Sequence, residues 1–315
     1  MSGKTINSAI FLLVLGNALA ILSDVFIKML EPGTPIFQFA FLRCVFTLLL
    51  LLPFIQQVSR QSLFAGWKLH LVRAHIHLAG MVCMVIALMN LPLATANALF
   101  YAAPLLVLGL SVLMFGERLT PLSFIAVISG FVGILVILRP VEVNWAAFAA
   151  LGSALALAMS ALLVRKLPSA QSTVHKLLLG YLLILPTAAL LAVWEGGGWN
   201  PELLGYALVS SVLILGYNIT VLLAYQQVDA SQVTSAEYTG LIWAVALGWI
   251  FFAEVPDLWF MIGSSMIIIP LLLIAWRQRM KHLKRSGLPK RNRSITVKTC
   301  TRSDKPLLSS SGSKD

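Results

Sequence analysis

Ten apolar segments of about twenty residues constrain this chain most, because each is long enough to cross the hydrocarbon core of a bilayer as a helix. They are predicted near 6–30, 35–56, 70–90, 94–115, 120–139, 144–165, 172–194, 203–226, 231–252 and 257–276. Only 11% of the 315 residues are charged and the mean hydropathy is +0.89, whereas soluble domains carry about 25% charged residues. A soluble enzyme is therefore excluded. We predict an all-α integral membrane protein with ten transmembrane helices.

Positive charge is concentrated at the C-terminal end. The formal net charge is +11, but residues 277–315 hold 12 of the 23 Lys and Arg residues and two of the acidic residues. The part of the chain before residue 277 is therefore nearly neutral. We interpret 277–315 as a basic, disordered cytoplasmic tail that can contact anionic headgroups of membrane lipid. Nucleic-acid binding is not expected.

The Lys and Arg residues of the short loops predict the orientation, because such residues are enriched on the cytoplasmic side. With the N-terminus inside, the outer side receives Arg139 and, at most, Lys28. The inner side receives the tail and eight further residues: Lys4, Arg60, Lys68, Arg73, Arg118, Arg165, Lys166 and Lys176. We expect a multi-pass protein of the cell (inner) membrane with both termini in the cytoplasm.

An internal repeat divides the membrane part into two halves. A shift of 137 residues superposes similar residues near the ends of spans: Lys28 on Arg165, Phe115 on Phe252 and Glu117 on Glu254. A shift of 133 does so at the second span of each half: Gln38 on Gln171 and Arg43 on Lys176. Each half has five spans, and an odd number inserts the second half upside down. We predict two inverted five-helix repeats, 1–141 and 142–276, a plan found in many secondary transporters.

Charged residues inside the spans are the first candidates for substrate binding, because a charge at the bilayer centre costs about 2.5 to 3.5 kcal/mol on insertion scales. Asp24 and Lys28 lie on one stripe of the first span, and their spacing of four residues also allows a structural ion pair. Arg43, in the second span, could hold an anionic substrate group or pair with Asp24 or Glu237.

Glu237 and several uncharged residues complete the candidate site. Glu237 lies in the ninth span on a face of small residues, which makes it a candidate carrier of a coupling proton; a structural pair with a basic residue is the alternative. The remaining candidates can hydrogen-bond a solute or stack on a planar one: Asn97, Tyr101, Asn218, Tyr238 and Trp243.

Motifs for catalysis or cofactor binding are missing from the sequence. Cys44, Cys83 and Cys300 share no ligand spacing, and His75 and His77 lie two residues apart, on opposite faces of a helix. No P-loop, GxSxG or HExxH pattern is present. We expect no enzyme activity, no cofactor and no metal. The oligomeric state stays open, with a homodimer as one alternative.

These features together resemble the drug/metabolite transporter superfamily, EamA type. In the first half the resemblance is carried by Pro104, Gly116, Glu117, Arg118, Gly130 and Gly133. In the second half it is carried by Tyr238, Trp243, Gly248, the run 254–257, Trp259 and Gly263. Asp24, Arg43 and the run 267–270 look more like the branch that includes bacterial S-adenosylmethionine uptake carriers. Riboflavin carriers and exporters of amino acids or drugs belong to the same superfamily.

The resemblance implies a secondary-active transporter that moves a small polar metabolite by alternating access. An S-adenosylmethionine-like or riboflavin-like solute is the leading expectation for the substrate. An exporter of amino acids or drugs, a membrane enzyme and a structural subunit are the alternatives. Glu117 and Glu254 match signature positions of the family, but they lie at predicted helix ends, so we interpret them as structural residues.

Overall fold

The computed structural model describes residues 6–58, 65–116, 120–138, 145–168, 171–225, 236 and 238–286. Over these residues the regular structure is entirely helical. The helices are α1 Ile6–Lys28, α2 Ile36–Leu51, α3 Trp67–Asn90, α4 Leu93–Phe100, α5 Ala103–Phe115, α6 Pro121–Leu138, α7 Trp145–Val164, α8 Thr173–Glu195, α9 Pro201–Tyr225, α10 Thr239–Phe252 and α11 Leu258–Ser286. A 3₁₀ turn, Leu52–Gln57, follows α2.

The prediction of an all-α membrane protein is confirmed. In the described part of the chain, nine helical segments are long and apolar enough to span a membrane, with α4 and α5 together forming one of them. The shorter apolar helix α10 is the tenth. The start predicted for the ninth span, at residue 231, lies outside the described residues. Large apolar side chains point away from the bundle, as expected for contact with lipid; examples are Leu190, Val193 and Ile242.

The fourth span, predicted as one helix over 94–115, is interrupted at Tyr101 and Ala102. Pro104 explains the interruption, because it has no backbone N–H to continue the hydrogen-bond ladder of the preceding helix. It instead lies in the first turn of α5, where that N–H would have no partner within the helix. The break places Tyr101 at the junction of two helix segments inside the bundle.

The last helix is longer than the sequence predicted. We expected disorder from residue 277, but α11 continues to Ser286. The added residues include Arg, Gln, Met, Lys and Leu, which favour helix formation. The expectation of disorder is therefore wrong for 277–286, and residues 287–315 lie outside the described part.

Helix packing keeps the same pattern when the two halves are exchanged. Helix α1 of the first half packs against α9 of the second half, and the corresponding helices, α7 of the second half and α3 of the first, also pack against each other. Exchanging the halves replaces α2 by α8 and α6 by α11, so each of these two pairs corresponds to itself. The two helices of each pair also pack together. At the α6–α11 crossing, a Cβ on Gly133 or Gly263 would lie 2.6 Å from the other's carbonyl oxygen, so the two backbones touch. This packing agrees with two inverted five-helix repeats.

The chain turns at two ends of the bundle, which we name by a residue of each. The Lys28 end contains the turns around 29–35, 91–92, 196–200 and 253–257. The Arg165 end contains the described residues 52–58, 65–66, 116, 120, 165–168 and 171–172. Hydrogen bonds between the halves hold both ends together, and the candidate site lies between them.

Candidate functional site

Three of the predicted site residues meet inside the bundle, and we call them the central cluster: Asp24 of α1, Arg43 of α2 and Asn97 of α4. The Asn97 side chain hydrogen-bonds to the Asp24 carboxylate, and the Arg43 guanidinium interacts electrostatically with that carboxylate. Their exposed fractions are 9%, 6% and 5%. Nη1 of Arg43 has no hydrogen-bond partner among the described residues. The cluster therefore offers both charge signs and a free donor.

An aromatic pair lies where α1, α4 and α10 meet. The rings of Tyr101 and Tyr238 have centroids 5.9 Å apart and are tilted by 42°. Gly240 presents no side chain to the Tyr101 hydroxyl, and a Cβ there would clash with it. Asn17 of α1 donates to the carbonyl of Ala236 at 3.0 Å. Tyr101 and Tyr238 are thus brought together, as a stacking role requires.

Two other predicted residues have structural partners. The Trp243 indole Nε1 donates to the carbonyl oxygen of Val14 at 3.1 Å, which ties α10 to α1. The Asn218 amide donates to the carbonyl oxygen of Ile214 at 2.9 Å, in the preceding turn of its own helix. Neither contact brings these side chains to the central cluster. Glu237, the remaining carboxylate of the prediction, lies outside the described residues.

Lys28 does not pair with Asp24, which corrects that alternative of the sequence analysis. Its Nζ lies 3.0 Å from Oε1 of Glu254, and the two side chains are 12% and 20% exposed. Nζ also donates to the carbonyl oxygen of Leu91 at 2.5 Å and lies 5.2 Å from the ring centroid of Phe252. Oε2 of Glu254 accepts the backbone N–H of Leu93 at 2.6 Å. We call this arrangement the Lys28–Glu254 gate.

A second carboxylate joins the two halves at the same end. Glu195, the last residue of α8, accepts the backbone N–H groups of Ile36 at 2.8 Å and Gln38 at 3.0 Å. These N–H groups lie in the first turn of α2, where they have no partner within the helix, and α2 has no side-chain cap of its own. The Gln38 amide in turn donates to the carbonyl oxygen of Gly197 at 2.6 Å. The Lys28 end is therefore closed by two contacts that run from one half to the other.

Corresponding contacts occur at the Arg165 end. Arg165 lies over the ring of Phe115, 4.7 Å from its centroid, as Lys28 lies over Phe252. The Gln171 amide donates to the carbonyl oxygen of Ala65 at 3.1 Å, as Gln38 does to Gly197. Glu117, which corresponds to Glu254, lies outside the described residues. The repeat found in the sequence is thus visible in the contacts at the two ends.

The described residues line two cavities at the Lys28 end. One, of about 350 Å³, lies between the 30–35 turn and the start of α9, with Glu31 and Glu202 in its wall. The other, of about 210 Å³, lies beside the gate and is lined by Thr95, Gly248 and Glu254. Neither cavity is lined by Asp24 or Arg43, so the central cluster is separate from both.

A group of residues on α3 and α8 was missed as a binding feature. Arg73 was assigned to an inner loop, and His77 was considered only for metal binding. In the structure, Arg73 Nη1 lies 3.9 Å from the Cβ position of Gly180 in α8. The ring of His77 packs edge-on against Tyr181, with centroids 5.8 Å apart. Their spacing, Arg73 and His77 at i and i+4, is the one signal in the sequence that could have grouped them on one helix face.

Apolar helices in two similar halves, with a few buried charged side chains between them, define a multi-pass membrane protein. The EamA-like transporter family model matches the chain twice, over residues 7–139 and 142–276. The chain therefore belongs to the EamA-like transporter family. It is a membrane transporter for a small molecule, which confirms the resemblance seen in the sequence and the expectation that the chain is not an enzyme.

The relatives that match this chain are named for different solutes. The pseudopaline exporter of Pseudomonas aeruginosa is 23% identical over 275 residues, covering 86% of this chain and 96% of the relative. The riboflavin transporter of Vibrio cholerae is 27% identical and covers 89% and 97%. The S-adenosylmethionine uptake transporter of Rickettsia conorii is 27% identical and covers 85% and 92%. A solved crystal structure superposes with a TM-score of 0.55 at 20% identity, covering 87% of this chain and all of the other, which shows a shared fold.

Proposed function

We propose that this chain is a secondary-active transporter that carries a small polar metabolite across the cytoplasmic membrane by alternating access. The central cluster supports the proposal most strongly. Charged side chains inside a bilayer are expensive, and they occur where they line a substrate or ion pathway. Arg43 also contacts the second half, because its carbonyl oxygen accepts the hydroxyl of Ser211 in α9 at 3.3 Å. A solute held there touches the boundary between the halves.

Alternating access is supported by the correspondence between the two ends. If the halves exchange their conformations, a state open at one end becomes a state open at the other, with closely similar energy. The Lys28–Glu254 gate then breaks when the Lys28 end opens. The contacts around Arg165 and Gln171 break when the Arg165 end opens. In this scheme the central cluster stays in place while the contacts at the two ends form and break in turn.

The orientation follows from the charge distribution in the loops. The inner side carries most Lys and Arg residues outside the helices, together with the basic segment that follows residue 276. The Lys28 end therefore faces the outside of the cell, and the Arg165 end and both termini face the cytoplasm. Glu237 is the proposed carrier of a coupling proton, because its neighbours at helical spacing are small residues that limit access of water.

The relatives and the charges of the central cluster suggest which solutes to test first. Asp24 offers a negative charge and Arg43 a positive one, which suits a solute with both signs, such as S-adenosylmethionine. The Tyr101–Tyr238 pair suits a planar ring, which both S-adenosylmethionine and riboflavin contain. Export of amino acids or drugs is the alternative, since the pseudopaline exporter is about as similar to this chain as the riboflavin transporter and the S-adenosylmethionine uptake transporter.

Counterflow in proteoliposomes tests the proposal. Vesicles loaded with unlabelled S-adenosylmethionine or riboflavin, and others loaded with amino acids, are diluted into the same labelled compound at low concentration. A transporter of that compound accumulates label transiently. Asp24→Asn is expected to remove the accumulation, because the neutral amide no longer balances Arg43 or attracts a cationic group on the solute.

Ser265→Ala is the matched control for that variant. Ser265 lies in α11, and its hydroxyl donates only to Ile262 of the same helix, at 2.6 Å. Removing it should leave counterflow at the wild-type rate. Failure of all tested compounds to exchange, or full activity of Asp24→Asn, would contradict the assignment of the central cluster as the substrate site.

A further inference from the structure

Between α2, α3 and α8, next to the central cluster, lies a group that we call the basic cluster: Arg43, Arg73, His77 and Tyr181. His77 interacts electrostatically with both guanidinium groups, and so does the Tyr181 hydroxyl. Arg73 and His77 are one helical turn apart on α3 and face Gly180 and Tyr181 of α8. The four residues therefore form one site built from three helices, and the family match assigns no role to Arg73, His77 or Tyr181.

The donors of this cluster are only partly used. Nη1 of Arg43 and Nε of Arg73 are buried atoms that have no hydrogen-bond partner among the described residues. A guanidinium group has five N–H donors, and leaving buried donors of a charged group unpaired destabilises the folded protein. Arg43 itself is more than nine-tenths buried. An unpaired, buried guanidinium donor is a feature that a bound acceptor would satisfy.

Arg43 and Arg73 differ in whether an acidic residue lies near them to balance their charge. Arg43 has the carboxylate of Asp24 as its acidic neighbour. Arg73 has no acidic neighbour in the described part of the chain, where its charge interacts with Tyr181. The other described acidic residues, Glu31, Glu195, Glu202, Glu254 and Asp257, lie in turns or at helix ends. The basic cluster thus carries one positive charge more than its described surroundings balance.

We infer that the basic cluster binds a single carboxylate group of the transported solute, with Arg73 as its main ligand. One carboxylate neutralises the excess charge, and the planar guanidinium fork matches its two oxygen atoms. The free donor of Arg43 and the hydroxyl of Tyr181 are further donors to it. Gly180 leaves the space beside Arg73 Nη1 without a side chain. The inference rests on the proposed transport function and specifies it, since it selects solutes that bear a carboxylate.

Thermal stabilisation of the full-length protein in detergent tests this assignment without requiring transport. The probes are compounds in pairs that differ in one group: nicotinate with nicotinamide, benzoate with benzamide, and methionine with methioninamide. Inorganic phosphate and sulfate are added as separate anions. A ligand that binds only the folded state raises the apparent melting temperature. We expect at least one carboxylate to stabilise the wild-type protein and its amide to have no effect.

Three variants give the expected pattern. Arg73→Gln should weaken binding of the stabilising carboxylate about 10- to 150-fold, the range for loss of a charged hydrogen-bond partner. Tyr181→Phe keeps the ring on His77 and removes only the hydroxyl, so it should weaken binding less and still fold. Arg277→Gln removes an arginine that is exposed on α11 and should bind as the wild type does. If Arg73→Gln does not fold, binding of the carboxylate to Tyr181→Phe alone tests the assignment.

The results distinguish failure of the carboxylate assignment of the basic cluster from failure of the transport proposal. Any one of three results would overturn the carboxylate assignment. The first is equal stabilisation by acid and amide, the second is undiminished binding in both Arg73→Gln and Tyr181→Phe, and the third is stronger stabilisation by phosphate or sulfate. Counterflow is measured on the same preparations. If no compound exchanges but stabilisation by a carboxylate depends on Arg73, the transport proposal fails and the site stands. If a compound without a carboxylate exchanges and acids do not bind, the site fails and the transport proposal stands.

Discussion

Substitution of Glu254 by Gln should loosen the Lys28 end of the bundle. The change is nearly isosteric, and the amide oxygen still accepts the N–H of Leu93, but the charge that faces Lys28 at 3.0 Å is lost. Both side chains are largely buried, so solvent screens the pair only partly. A hydrogen bond between charged groups contributes about 1.5 to 3 kcal/mol. If this contribution exists only in the closed state, the open fraction rises about 10- to 150-fold.

A cysteine introduced at Ala94 reports on this opening. Ala94 is 6% exposed and lines the 210 Å³ cavity beside Glu254. In a background without Cys44, Cys83 and Cys300, a membrane-impermeant maleimide added from outside reacts at this position only when the end opens. The labelling rate of Glu254→Gln should exceed that of the parent by the same factor of about 10 to 150, up to the rate of a fully exposed thiol.

Two comparisons make this prediction refutable. Glu202→Gln removes a carboxylate that is exposed at the same end of the bundle and should leave the labelling rate unchanged. The double variant Lys28→Gln with Glu254→Gln should lose less free energy of closing than the sum of the losses in the two single variants, because the two residues interact with each other. An unchanged labelling rate in Glu254→Gln, or strictly additive effects, would show that the ion pair does not hold this end closed.

The remaining predictions concern the site and the packing. Asp24→Asn should reduce counterflow at least tenfold and also lower the melting temperature, because Arg43 loses its buried counter-charge; counterflow and a thermal scan of one preparation would measure both, and a normal rate counts against a substrate role. Glu237→Gln should keep exchange but lose accumulation driven by a pH gradient that is acid outside; accumulation at the wild-type level would exclude Glu237 as the proton carrier. Gly133→Ala should lower stability by about 1 to 3 kcal/mol because its Cβ meets the carbonyl oxygen of Gly263 at 2.6 Å, and Gly109→Ala, with open space around it, should not.

The number and class of the helices were predictable because the signal for a transmembrane helix is local. A run of about twenty apolar residues spans a bilayer whatever surrounds it, and nine of the predicted spans appear with ends shifted by a few residues. The break at Tyr101 was not predicted, since one span was expected over 94–115 and Pro104 was named only for the family resemblance. The helical residues from Arg277 to Ser286 were missed because high charge was interpreted as disorder.

The candidate site was predicted in part. Asp24, Arg43 and Asn97 were identified individually from the cost of polar groups in a membrane, and the structure brings them together. Lys28 was placed with Asp24 because only spacing along one helix was available, whereas its partner Glu254 is 226 residues further along the chain. Arg73 was counted with the inner loop because it lies near the start of its span, whereas in the structure it lies within helix α3 and is placed by α8.

Hydropathy, loop charges and the internal repeat determined from sequence alone that the chain enters a membrane, how often it crosses and that it has two halves. Those properties depend on how each segment partitions between water and lipid, which neighbouring residues decide. Only the tertiary structure decided which buried charge faces which. Partners such as Lys28 and Glu254, or Arg73 and Tyr181, come from different halves, and their distance is set by how whole helices pack.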